Sequence, residues 1–183
     1  TSARPPSRIV GERIAGWLGV APAVGRAATR HHAIAALKDA HILHIQGHAT
    51  FNRADPLRSK LILSDAALTA ADIVGLGDVD ASAVVLGSCE GAAVHMGPGD
   101  EPMGLSTALL MAGARSVIAP LWPVDEDDAA AFMEAFYRHL LSSPHRSLAE
   151  AVRHAQLTLR SHPRYASPYS WAAYMLHGDA WLR

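Results

Sequence analysis

"ASAVVLGSCEG", residues 81–91, is the stretch on which the reading of this chain turns. Ala83-Val84-Val85-Leu86 is a continuous apolar run of strand length, and it does not alternate with polar residues. That pattern predicts an inner strand of a parallel sheet, buried on both faces. Cys89 follows the run, between Gly87 and Gly91, and it is the one cysteine in 183 residues. A free cysteine is commonly a small buried hydrophobe. At the end of a buried strand it also fits a nucleophile presented at a sheet edge. The two glycines fit either a close backbone approach by a substrate or a plain turn.

Outward from this run, helices and strands alternate. Upstream, "HILHIQ" (41–46) reads as a strand and "SKLILS" (59–64) as a short extended piece. "GERIAGWLGV" and "TRHHAIAALKDA" read as short amphipathic helices, the second capped by Thr29. "LTAADIVGL" reads as a helix opened by Thr69, with Asp72 three residues on in capping-box spacing. Downstream, "MGLSTALLMAGA" is helical and ends at Gly113, and "RSVIAPLW" is a second buried strand. "DEDDAAAFMEAFYRHLLSS" is a helix with acids in its first turn and Arg138 and His139 near its end, as the helix dipole prefers. "RSLAEAVRHAQLTLRSHP" is another, and "SWAAYMLHG" a final strand. Strands separated by helices predict an α/β/α sandwich around a mostly parallel sheet.

Composition narrows the function classes. Half of the residues are apolar, 18% are charged, and the net charge is −1, which suits a single well-filled domain over 1–183. No basic patch points to direct nucleic-acid binding, and no apolar run has the roughly 20 residues of a membrane helix. A single cysteine cannot form an internal disulfide, which suits a reducing, cytoplasmic setting. "TSARPPSRIV", with no initiating methionine, reads as a linker or a truncated edge covering residues 1–11.

Ligands of open α/β sheets bind at the carboxyl ends of the strands, and two candidate groups fall there. Cys89 ends one strand. "HIQGHATF" brings His48 just past another, after Gly47. A thiol attacks as thiolate and needs a base, and His48 is placed to be one. His44, inside the strand, is better placed for packing or hydrogen bonding. Backbone N–H groups around Ala49 and Cys89 are candidates to hold an oxyanion. A zinc site among the eleven histidines is a rival, but there is no H-E-x-x-H and no cysteine pair. A nucleophile elbow, with His177 as its histidine, is another. It requires a helix directly after the nucleophile, where this chain has "GAAVHMGPGDEP".

In order along the chain, "HILHIQGHATFNRADPLRSKLILSDAALTAADI", "AVVLGSCEG", "GDEPMGLSTALLMAGARSVIAPLWPVDEDDAAAFMEAFYRHL", "SLAEAVRHAQLTL" and "SWAAYMLHGD" resemble the CHAT domain, a group of caspase-like cysteine peptidases related to separase. The resemblance covers about residues 12–179, and Gly99–Val124 is its most specific block. It implies a three-layer caspase-like α/β/α sandwich. It implies a cysteine endopeptidase with His48 as base and Cys89 as nucleophile, oxyanion donors at Ala49 and Cys89, and no cofactor or metal. It also implies a protein or peptide substrate and a fused or partner regulatory domain, such as helical repeats. Acids near the site are its candidates for selecting a basic residue before the cut: Asp125, the pair Asp100–Glu101, and Glu90. Asp125 is equally placed to cap the helix that follows it. The chain departs from the family in Ala49, where many relatives carry glycine, and in Ser88-Cys89-Glu90-Gly91-Ala92, where relatives often read Ala-Cys-Glu-Thr-Gly. The family's first strand is not evident ahead of residue 12. The competing reading is a catalytically silent caspase-like interaction module.

Overall fold

The computed structural model describes residues 6–52, 54–88 and 104–182. Its centre is a four-stranded sheet in the order β1 (Ile42–Gln46), β5 (Ala83–Ser88), β6 (Ser116–Pro120), β7 (Tyr174–Gly178). The first three strands are parallel and β7 is antiparallel to β6. The expected inner strand is β5, paired on both sides. Its period-2 alternation serves two cores. Ala83 and Val85 face one, Val84 and Leu86 the other, and all four are fully buried.

Each core is roofed by helices. On the first side lie α1 (Pro6–Leu18), α5 (Glu126–Ser142) and α6 (Leu148–Ser161), with Ile14, Phe132, Phe136, Tyr137 and Leu159 packed inward. On the second lie α2 (Arg30–Asp39), α3 (Ala70–Val74) and α4 (Leu105–Ala112), contributing Leu37, Ile73 and Leu109. This is the three-layer sandwich expected from the alternation of elements.

The caps read from the sequence are present. Thr29 Oγ1 accepts from His32 N, Ser147 accepts from Glu150 N, and Thr69 and Asp72 form a complete capping box. Gly113 ends α4 at φ +123, where a Cβ would run into the Val79 carbonyl, so glycine is the residue that fits this helix end.

Two elements differ from expectation. Helix α1 starts at Pro6, so residues 6–11 are helix rather than linker, and Val10 is buried. The double proline looks like a breaker, but the first turn of a helix tolerates proline. The segment after β1 carries a small antiparallel sheet, β2 (Ala49–Thr50), β3 (Lys60–Ile62) and β4 (Ala67–Thr69), of which only β3 was anticipated. Arg30, at the start of α2, ties this unit down. Its N–H donates to Asp65 at 2.7 Å and its guanidinium pairs with Asp72 at 3.0 Å.

Candidate functional site

The parallel pairing of β1 and β5 sets Gln46 opposite Ser88, after a register shift at Ile45–Gln46. His48 lies two residues beyond Gln46, and in the sequence Cys89 comes next after Ser88. Adjacent strands are about 4.8 Å apart, so the end of β1 and the end of β5 form one edge. Cys89, Glu90, Gly91, Asp100 and Glu101 lie outside the described residues.

His48 is exposed and occupies the short link between the two sheets. Its carbonyl accepts from Ile62 N at 2.9 Å. That bond makes 48 and 62 a hydrogen-bonded pair. Such pairs alternate with non-bonded ones along an antiparallel ladder. Ala49, opposite Leu61, is therefore a non-bonded pair, and its N–H points away from β3. The Ala49 side chain is fully buried.

A polar chain sits directly beneath this edge. By strand period, His44 and Gln46 face the helices of the first core. The partly buried His44 contacts Tyr137 on α5 through Nδ1 at 3.1 Å, and its Nε2 lies 2.9 Å from Gln46 Oε1. Burial holds His44 neutral, pulling its pKa down to about 4. The Gln46 oxygen can only accept, so Nε2 carries the proton, and Nδ1 accepts from the Tyr137 hydroxyl. Burial also raises the Tyr137 pKa, keeping that hydroxyl a donor.

Gly87 is part of the same arrangement. A Cβ there would collide with Gln46 Oε1 and lie 2.7 Å from His44 Nε2. The Tyr174 hydroxyl donates to the Gly87 carbonyl, and the Tyr174 ring stacks on Phe132 at 4.2 Å. Gly87 therefore does not make a turn. It is a strand residue whose missing side chain makes room for a histidine–glutamine pair. This pair and its tyrosine were not anticipated. The available signal was the H-x-Q-x-H alternation together with a tyrosine in an otherwise apolar helix face, since a buried tyrosine hydroxyl needs a partner.

The neutral His44 has a consequence for stability. Its folded pKa lies below the 6.5 of a free imidazole. Between pH 6.5 and about 4 the unfolded chain therefore binds a proton that the folded one does not. This part of the stability is complete above pH 6.5 and is lost as pH falls through that window, up to about 3 kcal/mol. His154 and His177, also lowered by burial, act in the same direction. Urea unfolding at pH 7 and pH 4.5 should show the loss, and His44→Gln should remove the largest part of the pH dependence. An unchanged dependence in the variant would place the effect elsewhere.

Asp125 is exposed and caps α5, accepting from Asp127 N at 2.9 Å. His177 pairs with Val117 near the amino end of β6, level with Val84. That is four residues, roughly 13 Å, back from Ser88 along the strands, which removes it as partner in an elbow arrangement. Among the described residues no group of three or more His, Cys, Asp or Glu converges as a metal site, and no helix is long and apolar enough to cross a membrane. A cavity of about 260 Å³ lined by His41, Asp80, Ser82 and Arg115 opens at the amino edge of the sheet, away from His48.

Comparisons with known proteins agree with this architecture. Tetratricopeptide repeat protein 28 of Homo sapiens is 28% identical over 200 aligned positions, covering 88% of this chain and 8% of that protein. The Mus musculus protein of the same name is 28% identical over 202 positions, again 88% of this chain and 8% of the relative. The chain thus spans less than a tenth of the curated relatives it matches. Among solved structures, the Saccharomyces cerevisiae separase–securin complex superposes with a TM-score of 0.58 at 18% identity, over 81% of this chain and 9% of that one. This likeness is one of fold, the caspase-like sandwich. The CHAT domain pattern matches residues 7–179, nearly the whole chain, and the chain belongs to the CHAT domain family.

Proposed function

We propose that this domain is a cysteine endopeptidase in which His48 and Cys89 act as a dyad. The observation that carries the reading is the register of β1 and β5: it sets Gln46, two residues before His48, opposite Ser88, one residue before Cys89. In the mechanism, His48 takes the thiol proton and the sulfur attacks the carbonyl carbon of the scissile peptide. The new C–S bond and the oxyanion form together, and the Ala49 N–H, which points away from β3, is one donor for that oxyanion; the Cys89 N–H is the other. His48 then protonates the leaving amine and the C–N bond breaks. Water, deprotonated by His48, releases the acyl group and restores the thiol.

Substrate choice belongs to the same proposal. Asp125, Asp100, Glu101 and Glu90 are the acids suited to a basic residue before the cut, and Asp125 can cap α5 while presenting its second oxygen. The setting is a reducing compartment, the cytoplasm. The regulatory partner is a helical-repeat segment, since the relatives named above carry tetratricopeptide repeats in their names and are far longer than this domain. The same naming, which speaks of repeats and not of proteolysis, favours the second reading, a silent caspase-like interaction module.

A thiol-directed electrophile separates the two. The peptidase reading expects Cys89 to be labelled at pH 7 much faster than a free cysteine. Cleavage-site profiling with Cys89→Ser as control should then show cuts after Arg or Lys. Labelling at the rate of a free thiol would favour the interaction module. Cuts after apolar or acidic residues would remove Asp125 from the pocket.

A further inference from the structure

We infer that Tyr137, His44 and Gln46 are positioning residues that set the separation and orientation of the two strand ends on which His48 and Cys89 stand. The inference rests on the peptidase reading and goes beyond it by naming what holds the site in place.

The arrangement is costly as mere packing. The layer around Tyr137 is otherwise aromatic and aliphatic, with Phe132, Phe136 and Leu140 all buried beside it. A leucine at 44 and a phenylalanine at 137 would fill such a layer without desolvating an imidazole and a hydroxyl. The polar chain instead runs from α5 through β1 to β5. Tyr137 meets His44 edge-on, with ring centroids 5.5 Å apart. His44 fixes the Gln46 amide at 2.9 Å. That amide fills the space over Gly87, whose carbonyl accepts from the Tyr174 hydroxyl. Gln46 is two residues from His48 and Gly87 two residues from Cys89. The chain therefore grips each strand at the same distance from the group it presents. Beyond the grip, the His48 carbonyl is tied to Ile62 in the small sheet, so the imidazole projects from a backbone anchored on both sides. A neutral His44 is required for this bonding pattern, and burial keeps it neutral. A shift of about 1 Å in reacting groups can cost a hundred-fold in rate, so a device that fixes this spacing has a function to serve.

The test is the pH profile of Cys89 alkylation by iodoacetamide in the intact protein, with His48→Ala as the control for dyad chemistry. Tyr137→Phe removes one hydroxyl without opening a cavity; Gln46→Met removes the acceptor at nearly constant volume. With the wild type labelled fast and in a His48-dependent way, both variants should be labelled about ten-fold or more slowly. The acid limb of their profiles and the His48 signals in 15N-histidine spectra should move too, at temperatures where both variants remain folded. A purely structural role would lower the melting temperature and leave the profile and the His48 signals in place; that result overturns the proposal and leaves the peptidase reading standing. If either variant fails to fold, the other decides. Wild-type labelling that is slow and indifferent to His48→Ala would instead overturn the peptidase reading, and this proposal with it.

Discussion

Gly87→Ala is expected to destabilise the domain by about 3 kcal/mol and to slow labelling of the thiol at the strand end. The methyl group would land on Gln46 Oε1 and within 2.7 and 2.9 Å of His44 Nε2 and Cε1. The glutamine side chain can swing aside, but then His44 Nε2–H loses its acceptor in a shielded place, which alone costs about 1–3 kcal/mol. If it does not swing, β1 and β5 must part at the pair Gln46–Ser88. Either response disturbs the edge that carries His48. Gly47→Ala is the matched control, because a Cβ there meets nothing within 4 Å. Urea unfolding of the two variants should separate them by most of the 3 kcal/mol. Equal stabilities would mean that His44 and Gln46 do not pack against Gly87 closely enough to exclude a methyl group.

That prediction was out of reach from the sequence, and the reason is physical. The apolar run ending at Leu86 announces a buried strand because burial on both faces leaves a compositional trace. The capping box at Thr69–Asp72 is legible because its two partners are three residues apart. The partners of His44 and Gly87 are set by tertiary structure: Tyr137 is 93 residues from His44, and Tyr174 is 87 residues from Gly87. Nothing local distinguishes a glycine that makes a turn from one that yields its volume to a neighbouring strand. Strands β2 and β4, of two and three residues, are too short to show a period, and it is the pairing of β2 with β3 that turns the Ala49 N–H away from the ladder. The placement of His48 at a strand end was legible, since an apolar run followed by Gly47 marks where β1 must stop.

Removing the imidazole itself should have the largest effect of all. His48→Ala is expected to lower peptide cleavage by about 10³–10⁴ and to slow Cys89 labelling, while changing stability by no more than about 0.5 kcal/mol. His48 is exposed, and the fold uses its carbonyl through Ile62, a bond that alanine keeps. The expected split between activity and stability is what separates a catalytic histidine from a structural one, and it contrasts with Gly87→Ala, where both fall together. Cys89→Ala should lose as much, and the double variant no more than either single one, because groups that act as a unit in one step are not additive. Adding imidazole to His48→Ala should restore part of the labelling rate if the missing element is a base and not a shape. Cleavage that persists within a few-fold in His48→Ala would mean that the thiol draws its base from elsewhere, and the pairing inferred from the β1–β5 register would have to be given up.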